Sequence, residues 1–246
     1  MTSALFYKFK RVTDVPLQHF QVFGERRTGT NYLDRLIKDN LSIEPTNRYG
    51  WKHGTISMPC IAAHGLIVVV VRDPLTWLSS LHNRPFTKAN SGLPFSEFLR
   101  TEWYDEFIPK DFGHARWGYS GMVRASHVPN QVDRHPITGK RFKNPLELRV
   151  VKTAGFLGFL ERECNVAVVD YRYINTDPAG FISRLSDDFS IAKTTDFERP
   201  DRVGALGTNQ PRKAPTDISA EDMDFIRTAL DQVQETFLGY ADDLYR

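Results

Sequence analysis

The chain has 246 residues, 41% hydrophobic and 25% charged, with a formal net charge of +2. That length and composition suit one large α/β domain with a sizeable core, and the near-neutral balance excludes a general nucleic-acid coat. The longest purely apolar run, residues 66–71, is far too short to span a bilayer.

The opening residues, MTSALFYKFKRVTDVPLQ, contain no long apolar stretch of the secretory kind. The two cysteines, Cys60 and Cys164, lack metal-type spacing, so the expectation is two buried thiols in a reducing, cytoplasmic setting. Residues 20–24, FQVFG, are short, apolar and end in glycine, which predicts a strand entering a tight turn. From Asn31 onward Leu33, Leu36, Ile37 and Leu41 recur at helical spacing, so a helix begins near Thr30.

Residues 66–71, LIVVVV, have no polar alternation and predict a central parallel strand covered on both faces. Arg72-Asp73 ends it, and Pro74 at the first helical position opens a second helix. Residues 84–143 form a loop-rich basic insertion. Between Lys110 and Lys152 there are nine Lys or Arg against three Asp or Glu, a bias that suits a lid or acceptor segment favouring anions as well as a solvated loop.

Asn144-Pro145-Leu146-Glu147 carries an N-cap, a proline at N1 and a capping-box glutamate, predicting a helix from there to about Glu163. Residues 166–174, VAVVDYRYI, read as another buried strand, and Asp177-Pro178 opens a short helix. Residues 192–215 are polar and loop-like. Ser219 then caps a helix in which Met223, Ile226, Leu230, Val233 and Phe237 repeat at three to four residues. Alternating strands and helices predict a single α/β domain over residues 1–246, with a central parallel sheet flanked by helices.

The first strand-to-helix junction, GERRTGTN, carries the chemistry. A glycine loop opening a helix offers backbone N–H groups and the positive end of the helix dipole, together an anion site. Gly24 and Gly29 have the spacing of a G-x-x-x-x-G-K-[ST] nucleotide loop, but Thr30-Asn31 stands where Lys-Ser/Thr would be. Arg27 instead puts a guanidinium inside the loop, a group suited to gripping planar oxyanions. A polar turn with exposed arginines would look the same in isolation.

This junction resembles the 5′-phosphosulfate loop of sulfotransferases that use 3′-phosphoadenosine 5′-phosphosulfate (PAPS), roughly Pro-Lys-Ser-Gly-Thr-Thr-Trp after a strand. Residues 26–32 here read Arg-Arg-Thr-Gly-Thr-Asn-Tyr. The family's second signature is a buried strand, an arginine, a short turn and a serine eight positions on. Arg72, Pro74 and Ser80 match it. The resemblance implies a domain of P-loop NTPase-like topology and a transferase that moves a sulfuryl group from PAPS to a hydroxyl or amine without a metal ion.

It further implies that Arg26, Arg27, Thr28, Gly29, Thr30, Asn31 and Tyr32 hold the 5′-phosphosulfate and adenine, with Arg27 in place of the family's lysine and Tyr32 in place of a stacking tryptophan. The backbone N–H groups of residues 28–31 would form the cradle. Arg72 and Ser80 would hold the 3′-phosphate, helped by Arg212-Lys213, where Ala214 departs from the family's glycine.

Transfer needs a base, and histidine suits neutral pH. His53, in the glycine-flanked turn Gly50-Trp51-Lys52-His53-Gly54, lies between the two motifs; His82 is the reserve candidate, and Lys52 a possible aid to charge stabilisation. No pair of carboxylates at catalytic spacing stands out. The acceptor, a glycan or small metabolite, is expected to be chosen by the basic insertion. Two other readings stand beside this one: a P-loop nucleotide kinase or NTPase, and a non-catalytic nucleotide-binding module.

Overall fold

The computed structural model describes residues 5–85, 87, 89–103, 106–107, 130–131, 133–194, 196–200 and 218–245. In chain order these build β1 (Tyr7–Lys10), β2 (His19–Phe23), α1 (Thr30–Asn40), β3 (Glu44–Pro45), β4 (Gly65–Val71), α2 (Pro74–His82) and α3 (Phe95–Arg100). There follow β5 (Glu106–Phe107), β6 (Asn130–Gln131), α4 (Pro145–Leu157) and β7 (Asn165–Asp170). The last elements are α5 (Tyr171–Thr176), α6 (Pro178–Phe189), α7 (Ala220–Ala229), α8 (Gln232–Phe237) and α9 (Ala241–Tyr245).

The uninterrupted β-branched run explains the centre of the sheet. All seven residues of β4 are buried, because helices cover both faces of the strand. Ile67, Val69 and Val71 join Trp77, Phe98, Phe156 and Phe159 in one core. Leu66, Val68 and Val70 join Leu33, Leu36, Phe181 and Leu185 in the other. Successive side chains of a strand point to opposite faces, so one sequence run feeds two cores.

The strand order is β1-β7-β4-β2-β3. β4 pairs in parallel with β2, Phe23 opposite Val69, and with β7, Val71 opposite Asp170. β3 is also parallel to β2. β1, however, runs antiparallel along β7, with Tyr7 opposite Val169. The sheet is therefore mixed rather than wholly parallel, and the difference comes from a four-residue N-terminal strand, YKFK, that the sequence reading did not include. A separate small ladder pairs β5 with β6.

Local capping chemistry sets the helix starts. Asp73 accepts from Thr76 N–H at 2.8 Å ahead of Pro74. Asn144 accepts from the N–H groups of Leu146 and Glu147 at 3.0 and 2.9 Å. Glu147 completes this cap on Lys143 N–H, one residue before the position a capping box uses. Ser219 and Asp177 cap α7 and α6 in the same way.

Three boundaries differ from the sequence expectation. The strand predicted over 166–174 stops at Asp170, because its partner β4 stops at Val71 and Asp170 turns to cap α5 by accepting from Arg172 N–H at 2.8 Å. Tyr171, Arg172 and Tyr173 are helical. The helix from Asn144 ends at Leu157 and tightens into a 3₁₀ turn over Gly158–Glu161.

The last predicted helix breaks at Leu230, whose ψ of 153° is extended, and restarts at Asp231, which accepts from Gln234 N–H. Val233 and Phe237 consequently face outward, at 81% and 39% exposure, and α8 buries Gln234 and Glu235 instead. Cys164 is buried as expected, but Cys60 is exposed. Among the described residues no helix is long and apolar enough to cross a membrane.

Candidate active site

Because β2, β4 and β7 are parallel, their C-terminal ends meet at one edge of the sheet, the usual ligand crevice of an open α/β sheet. From β2 comes the loop of residues 24–29, from β4 the Arg72-Asp73 turn, and from β7 the start of α5.

Both glycines of the loop are required by close approach. A Cβ on Gly24 would lie 2.5 Å from the Val70 carbonyl oxygen. Gly29, at φ +96°, caps α1 without a side chain, and a Cβ there would sit 2.6 Å from the Tyr171 ring. Arg27 also adopts a left-handed conformation, φ +72°, which curls the loop back on itself. Inside the curl the Thr28 N–H and hydroxyl both donate to the Glu25 carbonyl, at 3.2 and 2.6 Å. Thr28 therefore does not offer its N–H to a ligand, contrary to expectation. The N–H groups of Gly29, Thr30 and Asn31 find no acceptor among the described residues, since the first α1 bond runs from Leu33 N–H to Gly29.

The two predicted motifs touch. Arg27 Nε donates to Ser80 Oγ at 3.0 Å, and Arg72 Nη1 donates to the Arg27 carbonyl at 2.9 Å. Arg72 also donates from Nε to Thr76 Oγ1 at 3.2 Å and lies 4.8 Å over the Tyr171 ring. Its side chain is buried, and burial lowers its pKa from the ordinary arginine value. No carboxylate lies within ion-pairing distance of it among the described residues. Its hydrogen-bond partners are neutral and the Asp73 and Asp170 charges act on it only from beyond ion-pairing distance, so its charge is only partly offset. Trp77 Nε1 fixes the loop from beneath by donating to the Arg26 carbonyl at 2.9 Å.

The lysine missing from the end of the loop is matched in space by one from another segment. Lys52 Nζ lies 2.5 Å from Asn31 Oδ1, in the first turn of α1. Burial lowers its pKa, with Asp34 acting in the opposite direction.

His53 follows. Its Nδ1 is 2.8 Å from the Gly24 carbonyl oxygen. A carbonyl only accepts, so Nδ1 carries the proton and Nε2 keeps its lone pair. Burial, and then the charges of Lys52 and Arg26, hold its pKa well below the usual imidazole value, against a smaller opposing effect of the Gly24 carbonyl. His53 is thus a neutral base with a defined tautomer. His82 differs: its Nε2 donates to the Leu93 carbonyl at 2.7 Å, and its ring packs on Phe95 and Phe98 at 5.3 and 5.1 Å. It ties α2 to the segment leading into α3.

Tyr32 is 7% exposed and lies in the core with Leu33 and Leu36, so its ring is not an open stacking face. Arg212 and Lys213 lie outside the described residues.

Beneath the loop sits a cluster that has no local signature in the sequence. Lys152 Nζ, from α4, lies 2.5 Å from Asp133 and 3.2 Å from Glu25, while Arg26 approaches Asp133 at 3.8 Å. Glu25, Asp133 and Lys152 are all nearly inaccessible. Burial raises the Glu25 pKa, opposed by the Lys152 charge. A pair of carboxylates therefore does meet near the loop, through residues separated by more than a hundred positions. Tyr171, between Gly29 and Arg72, was hidden by the strand reading of its segment. Compared with models of protein families, with curated proteins and with solved structures, the chain has no match.

Proposed function

We propose that this chain is a PAPS-dependent sulfotransferase of P-loop-like topology, with residues 24–31, Arg72, Ser80 and His53 as its site. The observation that carries the proposal is Arg72, a buried guanidinium whose hydrogen-bond partners among the described residues are all neutral, set directly against the loop whose helix-end N–H groups find no acceptor among those residues.

The N–H groups of Gly29, Thr30 and Asn31 and the dipole of α1 bind the 5′-phosphate. Arg72 and Ser80 bind the 3′-phosphate through charge-assisted and hydroxyl contacts. The donor supplies an activated sulfuryl group. His53 Nε2 takes the proton of the acceptor hydroxyl or amine as the acceptor attacks sulfur. The sulfur–oxygen bond to the phosphate then breaks, and its electron pair stays on the phosphate oxygen. Arg27 faces that developing charge, and Lys52 adds a second cation at the first turn of α1.

Lys52 also favours a second reading. An ammonium beside Asn31 restores the charge that a nucleoside triphosphate loop carries, which suits a nucleotide kinase or NTPase. A thermal-shift screen separates the two. The sulfotransferase reading expects 3′,5′-ADP to stabilise the protein more than 5′-AMP or magnesium–ATP does. Stronger stabilisation by magnesium–ATP, with turnover, would establish the kinase reading instead. Binding of 3′,5′-ADP without transfer to any acceptor would mark a binding module.

A further inference from the structure

The turn over residues 135–140 is closed at both ends, His135 N–H donating to the Lys140 carbonyl and Gly139 N–H to the His135 carbonyl, each at 2.9 Å. His135 Nδ1 accepts from the N–H groups of Ile137 and Thr138, both at 3.3 Å. Phe142 next to it is fully buried, and its carbonyl accepts from Trp103 N–H at 2.9 Å. The backbone here is held on both sides.

Those charges line one groove of about 650 Å³: Arg134, Lys140, Arg141 and Lys143, against Glu102 and Glu147. Both carboxylates are engaged. Glu102 pairs with Arg141 at 2.8 Å, and Glu147 accepts from Lys143 N–H. Lys140 and Lys143 are exposed, and among the described residues neither ammonium has a carboxylate within 4.0 Å. The groove is thus cationic in excess. It is joined to the loop through the chain, since Asp133, the residue before Arg134, reaches Lys152 and Arg26.

We infer that this groove docks the acceptor and that the acceptor is an anionic sugar chain, one bearing carboxylates or sulfates along its length. The inference rests on the sulfotransferase reading for its word acceptor, though not for the binding itself. The ammoniums of Lys140 and Lys143, exposed and without a carboxylate within 4.0 Å among the described residues, favour a polyanion. A single strand of nucleic acid is held in part by aromatic faces for its bases, and among the described residues beside the groove Phe142 and Trp103 are fully buried. A sugar chain needs hydroxyl and charge recognition only, and it carries the hydroxyls that a base such as His53 deprotonates.

The test uses the whole chain without nucleotide. A hexasaccharide of alternating uronic acid, its carboxyl-reduced counterpart and a single-stranded oligonucleotide of equal charge are each titrated at several salt concentrations. The acidic hexasaccharide is expected to bind at least about tenfold tighter than the reduced one. In the Lys140→Gln/Lys143→Gln double variant, affinity should fall and the slope of log K against log salt should shrink by roughly one to two. Both lysines are exposed, so the variant should fold, and unchanged 3′,5′-ADP binding confirms an intact nucleotide site. Equal binding of the acidic and reduced sugars, or an unaltered double variant, overturns the inference. Tighter binding of the oligonucleotide overturns it in favour of a nucleic-acid face. Failure of 3′,5′-ADP to bind would instead count against the nucleotide reading, and the sugar titration would stand apart from it.

Discussion

Ser80 Oγ accepts a hydrogen bond from Arg27 Nε at 3.0 Å, across 53 residues of sequence. This contact joins the loop after β2 to the helix after β4 and makes one site of two motifs. The neighbouring bond from Arg72 to the Arg27 carbonyl doubles the connection. An anion entering here meets a guanidinium and a hydroxyl already fixed in place, so little ordering cost remains to be met on binding.

Arg72→Ala should erase the preference for 3′,5′-ADP over 5′-AMP. A charge-assisted contact contributes about 1.5–3 kcal/mol, or roughly tenfold to a hundredfold in affinity. Calorimetric titration of both nucleotides against wild type and variant measures it. A variant that keeps the full preference would remove Arg72 from the 3′-phosphate.

Arg27→Ala should lower kcat more than it weakens 3′,5′-ADP, because a cation aimed at a leaving oxygen acts mainly as charge develops. Ser80→Ala, which only releases the Arg27 side chain and one hydroxyl contact, should have a smaller effect on kcat. Single-turnover rates with a working acceptor give the comparison. If Arg27→Ala leaves kcat intact while nucleotide affinity drops, the arginine serves binding alone.

His53→Gln should reduce kcat by about 10²–10⁴, the scale of a lost general base. In wild type the acid limb of kcat/KM belongs well below the usual imidazole range, because burial, Lys52 and Arg26 disfavour the cation. Lys52→Met removes one of those charges, so the limb should move toward neutral pH. The folded-state pKa is depressed, so the unfolded chain binds the extra proton. His53 therefore costs stability as pH falls from the ordinary imidazole value toward the folded one, and His53→Gln should flatten that part of the urea-unfolding profile. An acid limb that persists unchanged in His53→Gln would point to a different base.

Lys152→Met should destabilise the fold by roughly 3–5 kcal/mol, since it leaves the Glu25 and Asp133 carboxylates buried without their shared cation. The loss should shrink at low pH. Burial already raises the Glu25 pKa and Lys152 opposes that, so without the lysine protonation of Glu25 relieves the native state first. Urea midpoints at neutral and acid pH measure both effects. A loss of less than 1 kcal/mol would mean that the cluster is already neutralised another way.

Where the signal was local, it was legible. Pro74 after Asp73, Asn144-Pro145 and Asp177-Pro178 each mark a helix start, because an N-cap and its first turn are neighbours in the chain. The glycines at 24 and 29 were readable for the same reason. Where a boundary depends on a distant partner, it was not. The strand through 166–174 ends at Asp170 because β4 ends opposite it, and nothing in YRYI announces that. The helix through Phe237 breaks where Asp231 re-caps the chain and Glu235 turns inward to pair with Arg149 at 2.7 Å.

By itself, then, the amino-acid order determined two strand–loop–helix units, the glycine spacing of the first loop and the residue types placed at their ends. Periodicity, capping and glycine spacing act over a few residues and are written there. Only the tertiary structure decided which groups meet. Placing β4 between β2 and β7 sets Arg72 against the Arg27 carbonyl, brings the Tyr171 ring under Gly29, carries Lys52 to Asn31, and gathers Glu25, Asp133 and Lys152 under the loop. Those pairings span from 19 residues to more than a hundred. Strand order and two-sided burial impose them, and no short-range pattern in the chain records either.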